Sequence, residues 1–131
     1  MMEKINIKII KGLMYADVPF WSIVDNRYRK VFMLIDTGAN TTSFAERVLK
    51  ELGCFSNAKK SKARTAGGYV DIHEIQVPKV KIGSVELTNV DVHSHKNLDS
   101  FPFDGIIGMN VLSLFNFSVN FDDNIITFDG R

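Results

Sequence analysis

The stretch Val31-Phe32-Met33-Leu34-Ile35-Asp36-Thr37-Gly38-Ala39-Asn40 decides how this chain reads. Five apolar residues form a strand suited to burial, and the chain then turns on a glycine just past an aspartate. A carboxylate placed there is held rigidly where water still reaches it, which suits general acid–base chemistry. Upstream, Asp17 to Val24 is a second apolar run. The polar Asp25-Asn26-Arg27 between the two runs reads as the turn of a hairpin. Further back, Ile5, Ile7 and Ile9 alternate with Asn6 and Lys8, the period of a strand with one buried face.

Downstream of the triplet, the clearest helix runs from about Phe44 to Leu52. Ser43 and Glu46 are spaced as a capping box, Gly53 stands where a helix stops, and Phe44, Val48, Leu49 and Leu52 share a face. Asn57 to Arg64 is polar and basic and reads as a loop. Thr65 to His93 returns to strands, with Gly67-Gly68 and Gly83-Ser84 as turns. A short helix over about Asn110 to Phe115 precedes a closing pair, Phe117 to Phe121 and Ile125 to Phe128, joined by Asp122-Asp123-Asn124. Many short strands with one or two short helices predict a mostly-β, barrel-like architecture. No internal repeat or boundary divides residues 1–131, which read as a single domain.

Composition narrows the partners. A net charge of +1 offers no broad basic field, so no nucleic-acid partner is expected. No apolar run approaches the roughly 20 residues that span a bilayer, and no membrane association is expected. Met1 to Lys11 mixes Glu3, Lys4, Lys8 and Lys11 among isoleucines and lacks the apolar core of a leader peptide. Cys54 is the single cysteine and cannot form an intramolecular disulfide, which fits a reducing compartment. Cytoplasmic is the expected location.

By itself an Asp-Thr-Gly triplet is a weak signal. A second element, Gly105-Ile106-Ile107-Gly108-Met109-Asn110-Val111-Leu112, strengthens it. Two β-branched residues followed by glycine and a short helix make a tight passage that packs beneath a catalytic loop. With both elements, nearly the whole chain resembles the retropepsin-like aspartic proteases: retroviral proteases, their DNA-damage-inducible eukaryotic relatives and small bacterial homologues. Leu34-Ile35-Asp36-Thr37-Gly38-Ala39-Asn40 is similar to the family's active-site loop, and Ile106-Ile107-Gly108 to its apolar–apolar–Gly motif. The closing Phe117-to-Phe128 segment looks most like the cellular members.

The resemblance implies a retropepsin-like acid-protease barrel, functional as a homodimer. Asp36 would be the catalytic aspartate, and Thr37 would lock two active-site loops together across the dimer axis. Gly38 would leave space beside the carboxylates. Ala39 and Asn40 would hydrogen-bond the substrate backbone. Gly67 and Gly68, before Tyr69 and Val70, stand where the family carries a flap hairpin, and Val70 and Ile107 would line the groove. No metal and no cofactor is implied, and the substrate would be an extended polypeptide. Sites of this kind need two carboxylates that share a proton. No second Asp-Thr-Gly or Asp-Ser-Gly occurs, so the partner aspartate would come from a second copy. The optimum would be mildly acidic to near neutral. Retroviral members weave both termini into the dimer interface. Here Asp122 to Arg131 follow the matching strand and could extend that interface, pack on the same protomer or cover the groove.

Blander readings stand beside these. Asp36 could be an ordinary turn residue, or the domain could be a catalytically silent dimeric module that binds peptides or regulates through the same groove. His73, His93 and His95 lack convincing further metal ligands and read as an exposed loop. Cys54 reads as a small buried residue at a helix end. Lys59, Lys60, Lys62 and Arg64 read as a solvated loop, with attraction of acidic substrates as the functional alternative. The ten phenylalanines and Trp21 read first as core.

Overall fold

In the computed structural model, which describes residues 2–131, the isoleucine-rich start breaks into two strands, β1 (Met2–Asn6) and β2 (Lys8–Ile10). Met1, the first residue of the segment tested above for a leader pattern, lies outside the described residues. The break falls at Ile7, which is buried, whereas Ile9 is exposed. A uniform alternation thus serves two different sheets. The hairpin around Asp25-Asn26-Arg27 forms as expected from β3 (Leu13–Ser22) and β4 (Arg27–Ile35), with Asn26 at φ 54° in its turn.

The next segment departs from the sequence reading. Thr42 to Ala45 is a strand, β5 (Thr42–Ala45), and helix α1 covers only Glu46–Glu51. No capping box forms: Ala45 is the residue before the first helical turn and offers no side-chain cap. The Ser43 hydroxyl instead donates to the Thr41 carbonyl at 3.4 Å. All four residues of β5 are buried, and sheet hydrogen bonds on both sides outweigh the local preference for a helix. Gly53 does end the helix, at φ 77°, with its N–H bonded to the Lys50 carbonyl.

The basic stretch read as a loop is a strand, β6 (Lys59–Thr65). It pairs with β7 (Gly68–Ile82) from Lys59↔Glu74 to Thr65↔Gly68. Charged side chains, lysine above all, are ordinary on the outermost strand of a sheet. β8 (Val85–His95) follows, so His73, His93 and His95 lie on strands, half-buried, and not on an exposed loop. A turn of 3-10 helix (Lys96–Ser100) leads to β9 (Gly105–Ile107) and helix α2 (Met109–Leu112). That second helix is shorter than expected, because Phe115 already belongs to β10 (Phe115–Asn120). β11 (Ile125–Gly130) closes the chain after a turn with Asn124 at φ 53°.

These strands make two sheets. The larger has the order β2-β3-β4-β9-β5-β8-β7-β6, the smaller β1-β11-β10. In the smaller sheet the C-terminal strand lies between β1 and β10 of its own chain, so Ile125–Gly130 packs on the same protomer. Ile126 and Phe128 from β11 are buried there. The main core gathers Phe20, Met33, Phe44, Leu49, Val77, Val80, Ile107 and Leu112. Phe20 and Phe44 meet edge to face at 4.8 Å. Cys54 is buried at the end of α1, as expected, and that burial pushes its thiol pKa up. Among the described residues no helix is long and apolar enough to cross a membrane.

Candidate active site

The larger sheet positions Asp36 by inserting β9 between β4 and β5. Met33, Leu34 and Ile35 run parallel to Gly105, Ile106 and Ile107. The Asp36 N–H extends this ladder by donating to the Ile107 carbonyl at 3.0 Å. Beyond that bond the chain turns. The Asp36 carbonyl accepts from the Ala39 N–H at 3.3 Å, and carboxylate Oδ1 accepts from the Gly38 N–H at 2.8 Å. A Cβ on Gly38 would stand only 3.1 Å from that oxygen, so a side chain there would crowd the carboxylate. Asp36 is half-buried, while Thr37, Gly38 and Asn40 are exposed.

The loop is clamped from behind by the second motif. The N–H groups of Met109 and Asn110, at the start of α2, donate to the carbonyls of Ala39 and Asn40 at 2.8 and 3.1 Å. Gly108 makes this contact sterically feasible: a Cβ there would lie 2.7 Å from the Thr41 carbonyl carbon and 2.9 Å from the Ala39 oxygen. Its N–H donates to the Thr42 hydroxyl at 3.1 Å, and that hydroxyl donates to Asn110 Oδ1 at 2.8 Å. Asp104 braces the entry to β9. Its Oδ2 accepts from the Phe32 N–H at 3.0 Å, and its Oδ1 meets the Arg47 guanidinium at 3.1 Å.

The structure brings Asp36, Thr37, Gly38, Ala39 and Asn40 together with Ile107 in one assembly. Ile107 takes part through its carbonyl. Its side chain is only 1% exposed and packs in the core, so it cannot line an open groove as expected. The half-buried neighbour Ile106, on the opposite face of the strand, is the residue free to do so. Gly67 and Gly68 do sit at the tip of the β6–β7 hairpin. Gly68 is at φ 112°, and the Thr65 hydroxyl bonds the Gly68 carbonyl at 2.9 Å. Tyr69 is 70% exposed and Val70 half-buried. Within one chain this tip makes no hydrogen bond to the Asp36 loop among the described residues. Sequence reasoning missed Thr42, Asp104 and the side chain of Asn110. The signal for Asn110 was at hand, as a polar residue two places after the motif glycine.

Among the described residues no group of three or more His, Cys, Asp and Glu side chains is placed to hold a metal ion.

A family model described as "gag-polyprotein putative aspartyl protease" matches residues 24–114, from the β3–β4 turn through α2. The chain belongs to this aspartyl protease family. The matched span contains both halves of the clamp that defines the site, the Asp36 loop and the Gly108 passage. Among solved structures, a retropepsin-like aspartic protease from Rickettsia conorii is similar in fold. It has a TM-score of 0.71 and 21% identity over 98% of this chain and 91% of that one. The mostly-β architecture is therefore the retropepsin-like fold expected from the sequence, and it extends through β10 and β11 beyond the span of the family match. No curated protein matches the chain.

Proposed function

We propose that this aspartyl protease family member is an active endopeptidase, and that it works as a homodimer of one domain per chain. The observation that carries the reading is the setting of Asp36. Its carboxylate is oriented by the Gly38 N–H on a loop anchored by β9 and α2, while Thr37 and Gly38 beside it are left exposed. Each chain carries one such loop, and a second copy facing the first would bring two Asp36 carboxylates together with the Thr37 hydroxyls. Two carboxylates that close share a proton. The ionised one takes a proton from a water held between them as that water's oxygen attacks the scissile carbonyl carbon. The protonated one donates to the carbonyl oxygen. A tetrahedral gem-diol results, and it collapses with proton transfer to the leaving amine. Nothing in this sequence of steps needs a covalent enzyme intermediate. Ala39 and Asn40 hold the substrate backbone, the Gly67–Val70 tip closes over it, and Ile106 contacts apolar side chains beside the scissile bond.

The test is cleavage of a denatured-protein peptide mixture at mildly acidic pH by the wild-type chain and by Asp36→Asn, read by mass spectrometry. Cuts present only with the wild type support the proposal. A folded wild-type dimer that cuts nothing, yet holds peptides, overturns it in favour of a silent binding module. A monomer with full activity overturns the shared dyad.

A further inference from the structure

A concave surface whose lining does not include the Asp36 loop lies along the stem of the β6–β7 hairpin. A cleft of about 590 Å³ is lined by Lys60 and Lys62 of β6, Asp71 and His73 of β7, Ser94 of β8, and Lys96. Register explains the clustering. Lys60 pairs with His73, Lys62 with Asp71, and His73 in turn with Ser94, so these side chains share one face. Among the described residues, none of Lys60, Lys62 and Lys96 has a carboxylate within ion-pair distance. Glu46, outside the lining, is turned to His73 and Lys50, at 4.0 Å from each. Asp71 is therefore the lone carboxylate in the wall, against three ammonium groups, and the cleft attracts anions.

The same strand is an open edge. β6 ends the eight-stranded order, so the outward N–H and C=O groups of Lys59–Thr65 pair with no other strand. Lysines on such an edge discourage neutral or apolar strands from pairing with it. For a strand rich in carboxylates they do the reverse. Backbone donors and acceptors in a row select an extended polypeptide over other polyanions.

We propose that the edge of β6 and the adjoining cleft form a docking site for an acidic, extended polypeptide segment. It adds to β6 as a further strand and sets alternate carboxylates against Lys60 and Lys62, with Lys96 in the same cleft. The site does not involve Asp36, and its occupancy does not depend on proteolysis.

The full chain carrying Asp36→Asn, which leaves any peptide intact, is titrated against a fluorescein-labelled peptide of about eight alternating Glu and Thr residues by fluorescence anisotropy. Saturable binding is expected, weakened about tenfold by Lys60→Ser/Lys62→Ser/Lys96→Ser together and weakened further by added salt. The same peptide N-methylated at alternate residues keeps its charge and loses the edge hydrogen bonds, so it is expected to bind at least tenfold more weakly. Absence of saturable binding overturns the proposal. So does equal binding of the N-methylated peptide, or tighter binding of a single-stranded oligonucleotide of equal charge. Should the triple variant fail to fold by circular dichroism, the two peptides compared on the parent chain decide the matter.

Discussion

Asn110 Oδ1 accepts two hydrogen bonds from a single residue, Thr42: one from its backbone N–H and one from its hydroxyl, each at 2.8 Å. The Asn110 amide nitrogen in turn donates to the Asp91 carbonyl at 2.7 Å. One side chain thus ties the residues that follow the Asp36 loop to α2 and to β8.

Asn110→Ala removes all three bonds and leaves the Thr42 N–H without its partner. Because Thr42 is fully buried, we expect a loss of about 2–4 kcal/mol. Urea denaturation followed by circular dichroism measures it. A loss under 1 kcal/mol would mean that water replaces the amide at no cost.

Gly108→Ala drives a methyl group into backbone rather than into movable side chains, at 2.7 and 2.8 Å from the Thr41 carbonyl carbon and oxygen. A destabilisation of about 1–3 kcal/mol is expected, together with a loss of peptide cleavage larger than the unfolded fraction explains. Gly130→Ala is the matched control, since its added Cβ would meet nothing within 4 Å. It should stay within about 0.5 kcal/mol of the parent.

Stability should fall as pH drops below 6.5. Burial, and after it the neighbouring His93, holds the His95 pKa below its ordinary 6.5. In that range the unfolded chain takes up a proton that the folded chain resists, so the contribution is present above pH 6.5 and lost as pH falls toward the folded value. Thermal melts from pH 7.5 to 5 should show a shallower decline for His95→Gln than for the parent. Parallel declines would assign the acid sensitivity to other groups.

Removing Ile125 to Arg131 deletes the middle strand of the smaller sheet and separates β1 from β10. It also uncovers the surfaces packed on Ile126 and Phe128. The truncated chain is expected to lose its cooperative unfolding transition at any protein concentration. A truncated chain that folds normally but no longer dimerises would instead assign the segment to the interface between copies.

Much of this architecture was legible wherever local pattern and tertiary setting agree. The apolar run ending at Asp36, the Gly105-to-Gly108 passage and the closing hairpin satisfy their own propensities and their neighbours at once. The misreadings fall where neighbours overrule local signals. Ser43 and Glu46 are spaced as a cap, but burial on both sides draws Thr42 to Ala45 into the sheet. The basic β6 carries no apolar alternation because it is an edge held by β7 alone. On β9, three residues are too few for alternation to tell Ile106 from Ile107, and only the structure separates the half-buried side chain from the core one. The roles of Thr42 and Asp104 depend on partners 66 and 72 residues away, which no window of sequence contains.

The insertion of β9 between β4 and β5 also sets an order of events for a growing chain. Asp36 is held locally by the Gly38 and Ala39 N–H groups, but the hydrogen bonds that brace its loop reach Asp104, Gly108 and Asn110 and span 66 to 72 residues. Long-range pairings of this kind form slowly, because the intervening loop must be closed before they are made. A nascent or partly folded chain therefore carries its aspartate on a turn held only by its own loop. The full support around Asp36 is complete only after Asn110 has been made and folded back onto Thr42.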